Sequence, residues 1–218
     1  MDILLALFDF ILHLDRHLAE LIRDYGVWIY AILFAIVFVE TGLVVMPFLP
    51  GDSLLFIAGA FAAQGDMNIT VLMVLLTAAA ILGNTSNYWI GRYFGPRVFQ
   101  WENSRLFNRD AFDKAHAFYE KHGAMTIVVT RFLPFLRTFS PFVAGVAAMT
   151  HGRFQAYNIG GGLLWVVSLT QAGYWFGNIP WIRNNLTAIV LALIIIPGLP
   201  AVVVGVREYL AARRRRAS

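Results

Sequence analysis

The stretch Thr130-Arg131-Phe132-Leu133-Pro134-Phe135-Leu136-Arg137 decides the fold, because it places two arginines inside an otherwise apolar segment, residues 124–149. A guanidinium at bilayer depth costs about 3 kcal/mol on insertion scales, so an arginine kept there usually has a function. Earlier in the chain, the apolar segment 27–63 carries Glu40 and Asp52. Two acids in one apolar segment and two arginines in another indicate a polar site buried in a membrane protein.

The composition indicates the same class of protein. Hydrophobic residues make up 59% of the chain and charged residues only 14%, whereas soluble domains carry about 25% charged residues. The chain has no cysteine, which excludes a disulfide framework and a thiolate metal site. We therefore expect an all-α integral membrane protein that needs neither a metal nor a cofactor.

Both charged segments are interrupted. Their expected helix breaks are Pro47, Pro50 and Gly51 in the first segment and Pro134 and Pro141 in the second. Proline removes a backbone donor and disfavours helix at the residue before it. Backbone freed in this way at membrane depth is tolerated only where protein or a water-filled cavity covers it. We interpret 27–63 and 124–149 as re-entrant hairpins.

Three further segments, 69–91, 154–176 and 186–206, are long enough to cross a bilayer. A membrane-spanning helix needs about 20 predominantly apolar residues. Residues 1–25 are predicted to form an amphipathic helix at the membrane interface. The remaining membrane domain, 26–210, is expected to be a single unit.

Charge bias gives an orientation to this arrangement. Basic residues are concentrated in the amphipathic connection 92–122 and in the tail 207–218. The positive-inside rule places both on the cytoplasmic side, and with them the C-terminus. An even number of crossings must then separate them, which holds if 124–149 is re-entrant. The side of the N-terminus stays open.

A weak internal repeat points to a transporter. At an offset of 86 residues, Ala58-Gly59 matches Ala144-Gly145, and Tyr88-Trp89-Ile90-Gly91 matches Tyr174-Trp175-Phe176-Gly177. Each copy contains one hairpin and one spanning helix, so the second copy enters the membrane from the opposite side. Such inverted repeats are typical of secondary transporters, whose broken helices meet near the midplane and form the substrate site.

The arginine pair suggests the ligand. Guanidinium groups bind phosphate in a two-point geometry and stay charged at any accessible pH. A turn at Pro134 could aim Arg131 and Arg137 at one point, where they would bind a substrate phosphate. Glu40 and Asp52 could neutralise them in the empty site or exchange protons during transport. The alternative is that these four charges form buried ion pairs that merely hold the hairpins together.

Taken together, Glu40, Pro50-Gly51-Asp52, Arg131-x-x-Pro134-x-x-Arg137 and Ala144-Gly145 resemble the DedA family (SNARE-associated, VTT-domain proteins) over about residues 28–177. The resemblance implies a bacterial inner-membrane protein that returns undecaprenyl phosphate across the cytoplasmic membrane, with the four embedded charges in its site. Many members have Gly-Asp where this chain has Gly83-Asn84, which puts a proton role at that position in doubt. Asn84, Asn87 and Arg92 are candidates for lining the path or bonding a headgroup. Their alternative roles are polar packing between helices and, for the arginine, a position at the membrane interface.

From these observations we expect a transporter that flips a polyprenyl phosphate carrier lipid for reuse in cell-envelope synthesis, driven by protons or by the membrane potential. Its partners would be the lipid phosphate and membrane lipids, with a homodimer left open and no nucleic acid. A proton-coupled small-ion or drug antiporter, a general phospholipid scramblase and a scaffold are the alternatives. An enzyme is not expected, because the embedded segments lack histidine and cysteine and neither HExxH nor GxSxG occurs.

Overall fold

The computed structural model describes residues 14–43, 51–99, 125–132, 134–186, 188–189 and 191–193. Within these ranges the regular structure is helical and contains no strand, which confirms the all-α class. The helices are α1 (Leu14–Tyr25), α2 (Ile29–Gly42), α3 (Gly51–Gln64), α4 (Ile69–Phe99), α5 (125–130), α6 (Pro134–Val146), α7 (His151–Phe176) and α8 (Pro180–Asn184), with a 3-10 turn at Gly26–Trp28.

Helix α1 continues almost directly into α2. The 3-10 turn joins them, so His17–Gly42 forms one helical stretch that is long and apolar enough to cross a bilayer. The same is true of Ile69–Gly95. The predicted interfacial segment 1–25 is described only from residue 14, and the predicted span 186–206 lies mostly outside the described residues.

The outer faces of the long helices are apolar. Large hydrophobic side chains are exposed along α4 and α7, namely Val74, Leu82, Trp89, Leu163, Leu164 and Trp175. Water-soluble monomers rarely expose such continuous apolar surface. Hydrocarbon chains of a bilayer would contact these side chains at no cost in hydration. The exposed surface therefore agrees with the membrane class that the composition predicts.

Helix α4 extends beyond its predicted end. Its last residue is Phe99, so the first eight residues of the predicted connection 92–122 belong to this helix. Packing on α6 explains the extension, because a Cβ at Gly95 would lie only 3.1 Å from Val146 Cα. Residues 100–124 lie outside the described part of the chain.

The second charged segment breaks earlier than its prolines suggest. Helix α5 ends at residue 130, and Arg131 and Phe132 form a turn closed by hydrogen bonds from their N–H groups to Val128 O and Val129 O. Pro134 is the first residue of α6, a position where the missing donor is not needed.

The prediction that Pro141 is a break is wrong. Pro141 lies inside α6, where it deprives only the carbonyl four residues earlier of its partner. The helix continues around it to Val146, because the fixed φ of proline is itself helical. The predicted breaks Pro47 and Pro50 lie outside the described residues, and Gly51 is the first residue of α3.

The two long inner helices pack on the broken segments in a crossed pattern. Helix α4 lies against α2 and α6, while α7 lies against α3 and α4. Two close approaches are equivalent: Gly91 of α4 meets the backbone of Phe142 in α6, and Gly173 of α7 meets the backbone of Phe56 in α3. A Cβ at either glycine would collide with a carbonyl oxygen. This packing brings the broken ends of both charged segments together.

Candidate functional site

Arg137 lies between the two acids of the first charged segment. Its Nη1 donates a hydrogen bond to Asp52 Oδ1 at 2.6 Å, and its Nη2 donates to Glu40 Oε1. Glu40 comes from the end of α2, Asp52 from the first turn of α3, and Arg137 from the first turn of α6. The predicted meeting of the two segments is therefore seen in the structure, and it is centred on Arg137. We call these three residues the charged triad.

Both carboxylates lie at the N-terminus of α3. Gly51, its first residue, lies so close to Glu40 that a Cβ there would overlap the carboxylate. Asp52 follows in the first turn. Free N–H groups and the helix dipole make a helix N-terminus favourable for negative charge. A glycine after the predicted break thus lets an acid from α2 approach the start of α3.

Trp165 completes the surroundings of the triad. Its indole N–H donates to Asp52 Oδ1 at 2.8 Å, and the Arg137 Cζ atom lies 5.2 Å from the centre of its ring. A guanidinium over an indole face is a favourable cation–π contact. Sequence reasoning missed this residue, because one tryptophan in an aromatic-rich span gives no signal of a special role.

Arg131 occupies a separate polar environment. It is 3% exposed, and its Nη2 donates to Oδ1 of Asn158 and, at 3.2 Å, to the carbonyl oxygen of the same residue. Its side chain runs along α7 at Gly161 and Gly162, where a Cβ would lie 3.2 Å from Arg131 Cδ and 3.3 Å from Arg131 Nη1, respectively. The two glycines therefore let the guanidinium reach the helix surface.

The two arginines thus do not share one set of partners, although each is buried and they are close enough to repel electrostatically. The triad, with one guanidinium and two carboxylates, has one negative charge when both acids are ionised. Arg131 has one positive charge. Together they make an electrically neutral site that contains a local separation of charge.

The candidate path-lining residues lie on α4. Asn87 is fully buried, and its Nδ2 donates to Thr41 O at 3.3 Å and to Thr138 O at 2.7 Å. Asn87 therefore joins the end of α2 to α6. Its two acceptors belong to the residues that directly follow Glu40 and Arg137 in the chain. Asn84 is also buried.

Arg92 is exposed and lies near the start of α7. Its Nη1 donates to Tyr88 Oη at 2.9 Å and to Met149 O at 3.2 Å. The described contacts of Asn87 join α4 to two other helices, which corresponds to the packing alternative. Arg92 contacts Tyr88 of its own helix and the segment before α7, and it is exposed.

A polar network that the sequence did not single out supports Arg131. Asn158 Nδ2 donates to Ile81 O at 3.0 Å and to Thr85 Oγ1 at 3.2 Å, and Gln155 Nε2 donates to the same hydroxyl at 2.9 Å. Gln155 and Asn158 are three residues apart on α7 and so lie on one face. Their spacing on one face of a predominantly apolar span is a signal that could have identified them.

The described residues contain no cluster of histidine, aspartate and glutamate side chains able to hold a metal ion. The chemistry of the region is therefore that of embedded fixed charges and amide groups. Such a region can pair with an ion, exchange a proton at a carboxylate or hold helices together.

Comparisons with known proteins agree with this picture. The VTT domain profile matches residues 49–175. Protein DedA of Escherichia coli (strain K12) is 53% identical over 216 residues, which cover 98% of this chain and 99% of that protein. An uncharacterised membrane protein of Mycobacterium leprae (strain TN) is 45% identical over 174 residues, covering 80% of this chain and 78% of the relative.

A third relative bears on location. Inner membrane protein YghB of Escherichia coli (strain K12) is 36% identical over 200 residues, covering 90% of this chain and 87% of the relative. No solved structure matches the chain. Two of these relatives are named as a membrane protein and an inner membrane protein, which supports a location in the bacterial inner membrane. The domain match and the nearly full-length identity establish that the chain belongs to the DedA family of VTT-domain membrane proteins.

Proposed function

We propose that the protein moves a polyprenyl phosphate carrier lipid, undecaprenyl phosphate, across the inner membrane for reuse in cell-envelope synthesis. The observation that carries the proposal is the burial of two arginines, Arg137 paired with Glu40 and Asp52 and Arg131 with no carboxylate among its described partners, inside a protein whose outer face is apolar. An embedded cation is costly, and arginine binds phosphate with two parallel charge-assisted hydrogen bonds. The lipid's phosphate would enter the site while its polyprenyl tail stays in the bilayer.

The fold supplies a way to expose such a site to either leaflet. Gly91 meets the backbone of Phe142, and Gly173 meets the backbone of Phe56 in the same way. The two phenylalanines are 86 positions apart, and the two glycines are 82 positions apart. This supports an inverted repeat of re-entrant hairpin plus spanning helix. The spanning helices are displaced by about one turn from the register that the matching Tyr-Trp motifs indicate. Movement of one repeat against the other is the alternating access of this architecture.

The charge balance of the site suggests what drives the lipid across the membrane in one direction. Phosphate that pairs with Arg131 adds negative charge beside a triad that is already negative when both acids are ionised. Uptake of one proton by Glu40 or Asp52 would make the triad neutral and offset that addition. The membrane potential acting on the lipid anion is the second source of direction. In this arrangement the basic tail 207–218 lies on the cytoplasmic side.

A lipid panel in proteoliposomes tests the proposal. Purified protein is reconstituted with undecaprenyl phosphate, undecaprenol or a fluorescent phosphatidylethanolamine, and movement to the outer leaflet is followed with a membrane-impermeant reagent specific to each lipid. We expect fast movement of undecaprenyl phosphate and background rates for the other two. Equal movement of phosphatidylethanolamine would favour a general scramblase. Movement of no lipid, with proton flux on addition of small ions, would favour the antiporter.

A further inference from the structure

The two buried arginines differ in what neutralises them. Arg137 donates to two carboxylates, whereas the described partners of Arg131 are the uncharged oxygens of Asn158. Within the described ranges, no carboxylate forms an ion pair with Arg131, and its buried Nε atom has no hydrogen-bond partner. A buried guanidinium ordinarily pairs with an acid, because desolvation of an isolated charge is costly.

Asn158 is oriented so that it can accept from Arg131. Its Nδ2 group faces α4, where it donates to Ile81 O and Thr85 Oγ1. Since Ile81 O can only accept and a guanidinium can only donate, the opposite orientation of the amide would place an acceptor against Ile81 O and a donor against Arg131. Asn158 is fully buried, so packing also holds it in place. The network therefore fixes the position of Arg131 without neutralising its positive charge.

We propose that Arg131 alone is the anchor for the phosphate anion and that Asn158 is the residue that positions it. Arg137 is occupied by the triad and serves to hold α2, α3 and α6 together. This inference rests on the proposed function for the identity of the lipid, but it separates the roles of two arginines that the sequence treats as equivalent. A carboxylate in place of Asn158 would neutralise the anchor, and the uncharged amide does not.

Asn158→Asp tests this directly, because the side chains have nearly the same shape. If Arg131 acts through its charge, the new carboxylate pairs with it and competes with the phosphate. If Arg131 only holds helices together, the new ion pair preserves or strengthens that role. The first account therefore predicts weaker phosphate binding and the second predicts unchanged binding, for one substitution that keeps the shape of the side chain.

The assay measures binding to the full chain in detergent. Farnesyl phosphate serves as a soluble prenyl phosphate, farnesol as the uncharged control and inorganic phosphate as the test for a free anion. We expect wild type to bind farnesyl phosphate but not farnesol, and Asn158→Asp to weaken binding at least about tenfold, the loss expected for a charge-assisted contact. The melting temperature of Asn158→Asp, measured without ligand, should fall by no more than that of Asn158→Ala, because the new ion pair with Arg131 offsets the lost donation to Ile81 O.

Two control variants separate charge from geometry. Asn158→Ala removes the acceptor but leaves Arg131 charged, so it should weaken binding less than Asn158→Asp. Gln64→Glu adds the same negative charge at the end of α3, where the side chain now donates to Ala60 O, and should bind as wild type does. If Asn158→Asp does not fold, the comparison of Asn158→Ala with Arg131→Ala decides. Arg131→Ala removes the guanidinium and should abolish binding, whereas Asn158→Ala only releases the guanidinium from its position and should retain part of the binding.

Each further outcome separates this inference from the proposed function. Wild-type binding by Asn158→Asp would overturn the inference and leave lipid movement by the protein untouched. Binding of inorganic phosphate as tight as that of farnesyl phosphate, lost in Asn158→Asp, would keep Arg131 as the anchor and overturn the lipid assignment. Failure of wild type to bind either phosphate would overturn Arg131 as an anion anchor.

Discussion

Replacing Arg137 with leucine should destabilise the protein more than any other single change in the charged triad. The Arg137 side chain is 8% exposed and that of Glu40 is 1% exposed, so the substitution leaves a buried carboxylate without its cation. Breaking a buried ion pair from one side costs about 3–5 kcal/mol. For a chain of this size, each kcal/mol lowers the melting temperature by about 2–4 °C. We therefore expect a loss of about 6–20 °C.

The two acids should matter less, and unequally. Glu40→Gln keeps an oxygen that can accept from Arg137 and should cost about 1–2 kcal/mol. The Asp52 side chain is 21% exposed, so solvent screens its pairing, and Asp52→Asn should cost about 0–1 kcal/mol. The expected order of melting temperatures is Asp52→Asn, then Glu40→Gln, then Arg137→Leu, from highest to lowest.

Thermal unfolding of the detergent-solubilised protein, followed by intrinsic fluorescence, measures this order. Arg23→Leu is the matched control, because that arginine is exposed on α1 and pairs with its neighbour Asp24. It should change stability by no more than about 0.5 kcal/mol. The double variant Glu40→Gln/Arg137→Leu should lose less than the sum of the two single variants, since the ion pair is then removed from both sides. A melting temperature of Arg137→Leu equal to wild type, or strict additivity in the double variant, would refute the buried triad.

Three other changes have expected outcomes. Gly51→Ala should lower the melting temperature of the detergent-solubilised protein, because the added methyl group overlaps the Glu40 carboxylate. Gly59→Ala is the control for crowding of α3 away from the triad. Lipid movement per folded protein should fall in Gly51→Ala and not in Gly59→Ala, and equal rates would contradict a special role of residue 51. Asn87→Leu removes two hydrogen bonds and leaves two backbone carbonyls without this donor, for a loss of about 1–3 kcal/mol in chemical denaturation, and an unchanged midpoint would contradict its role in joining α2 to α6. Trp165→Phe keeps a ring under Arg137 but removes the donor to Asp52, so it should cost about 1 kcal/mol, less than Trp165→Leu in the same assay.

Much of the fold could be predicted from the hydropathy of the segments and from their expected helix breaks. The charged segments, the span 69–91 and the helix at 154–176 were predictable, because long apolar runs and isolated charges dominate local preference. The end of α4 was not, since the contact of Gly95 with Val146 is a tertiary contact that no local pattern reports. Pro141 shows a related limit: a proline removes one hydrogen bond, and surrounding packing decides whether the helix ends there.

The site was predictable in its residue types but not in its pairing. Two arginines spaced six apart could have shared one anion or taken separate partners, and the direction of each side chain depends on the turn at Arg131 and Phe132. Asn158 and Trp165 were missed, because an amide or an indole in a span has many ordinary uses. Only the packing of α7 against α3 and α4 brings them to the charged residues.

Transbilayer movement of undecaprenyl phosphate by wild type, Arg131→Ala and Arg23→Ala decides whether the protein moves this lipid by means of Arg131. The three proteins are reconstituted at equal density, after their folding has been checked by size exclusion and thermal unfolding, and the rate of lipid appearance in the outer leaflet is compared with protein-free liposomes. We expect rapid movement by wild type and Arg23→Ala and a rate near that of empty liposomes for Arg131→Ala. A wild-type rate no faster than that of empty liposomes, or an unchanged rate in Arg131→Ala, would contradict this expectation.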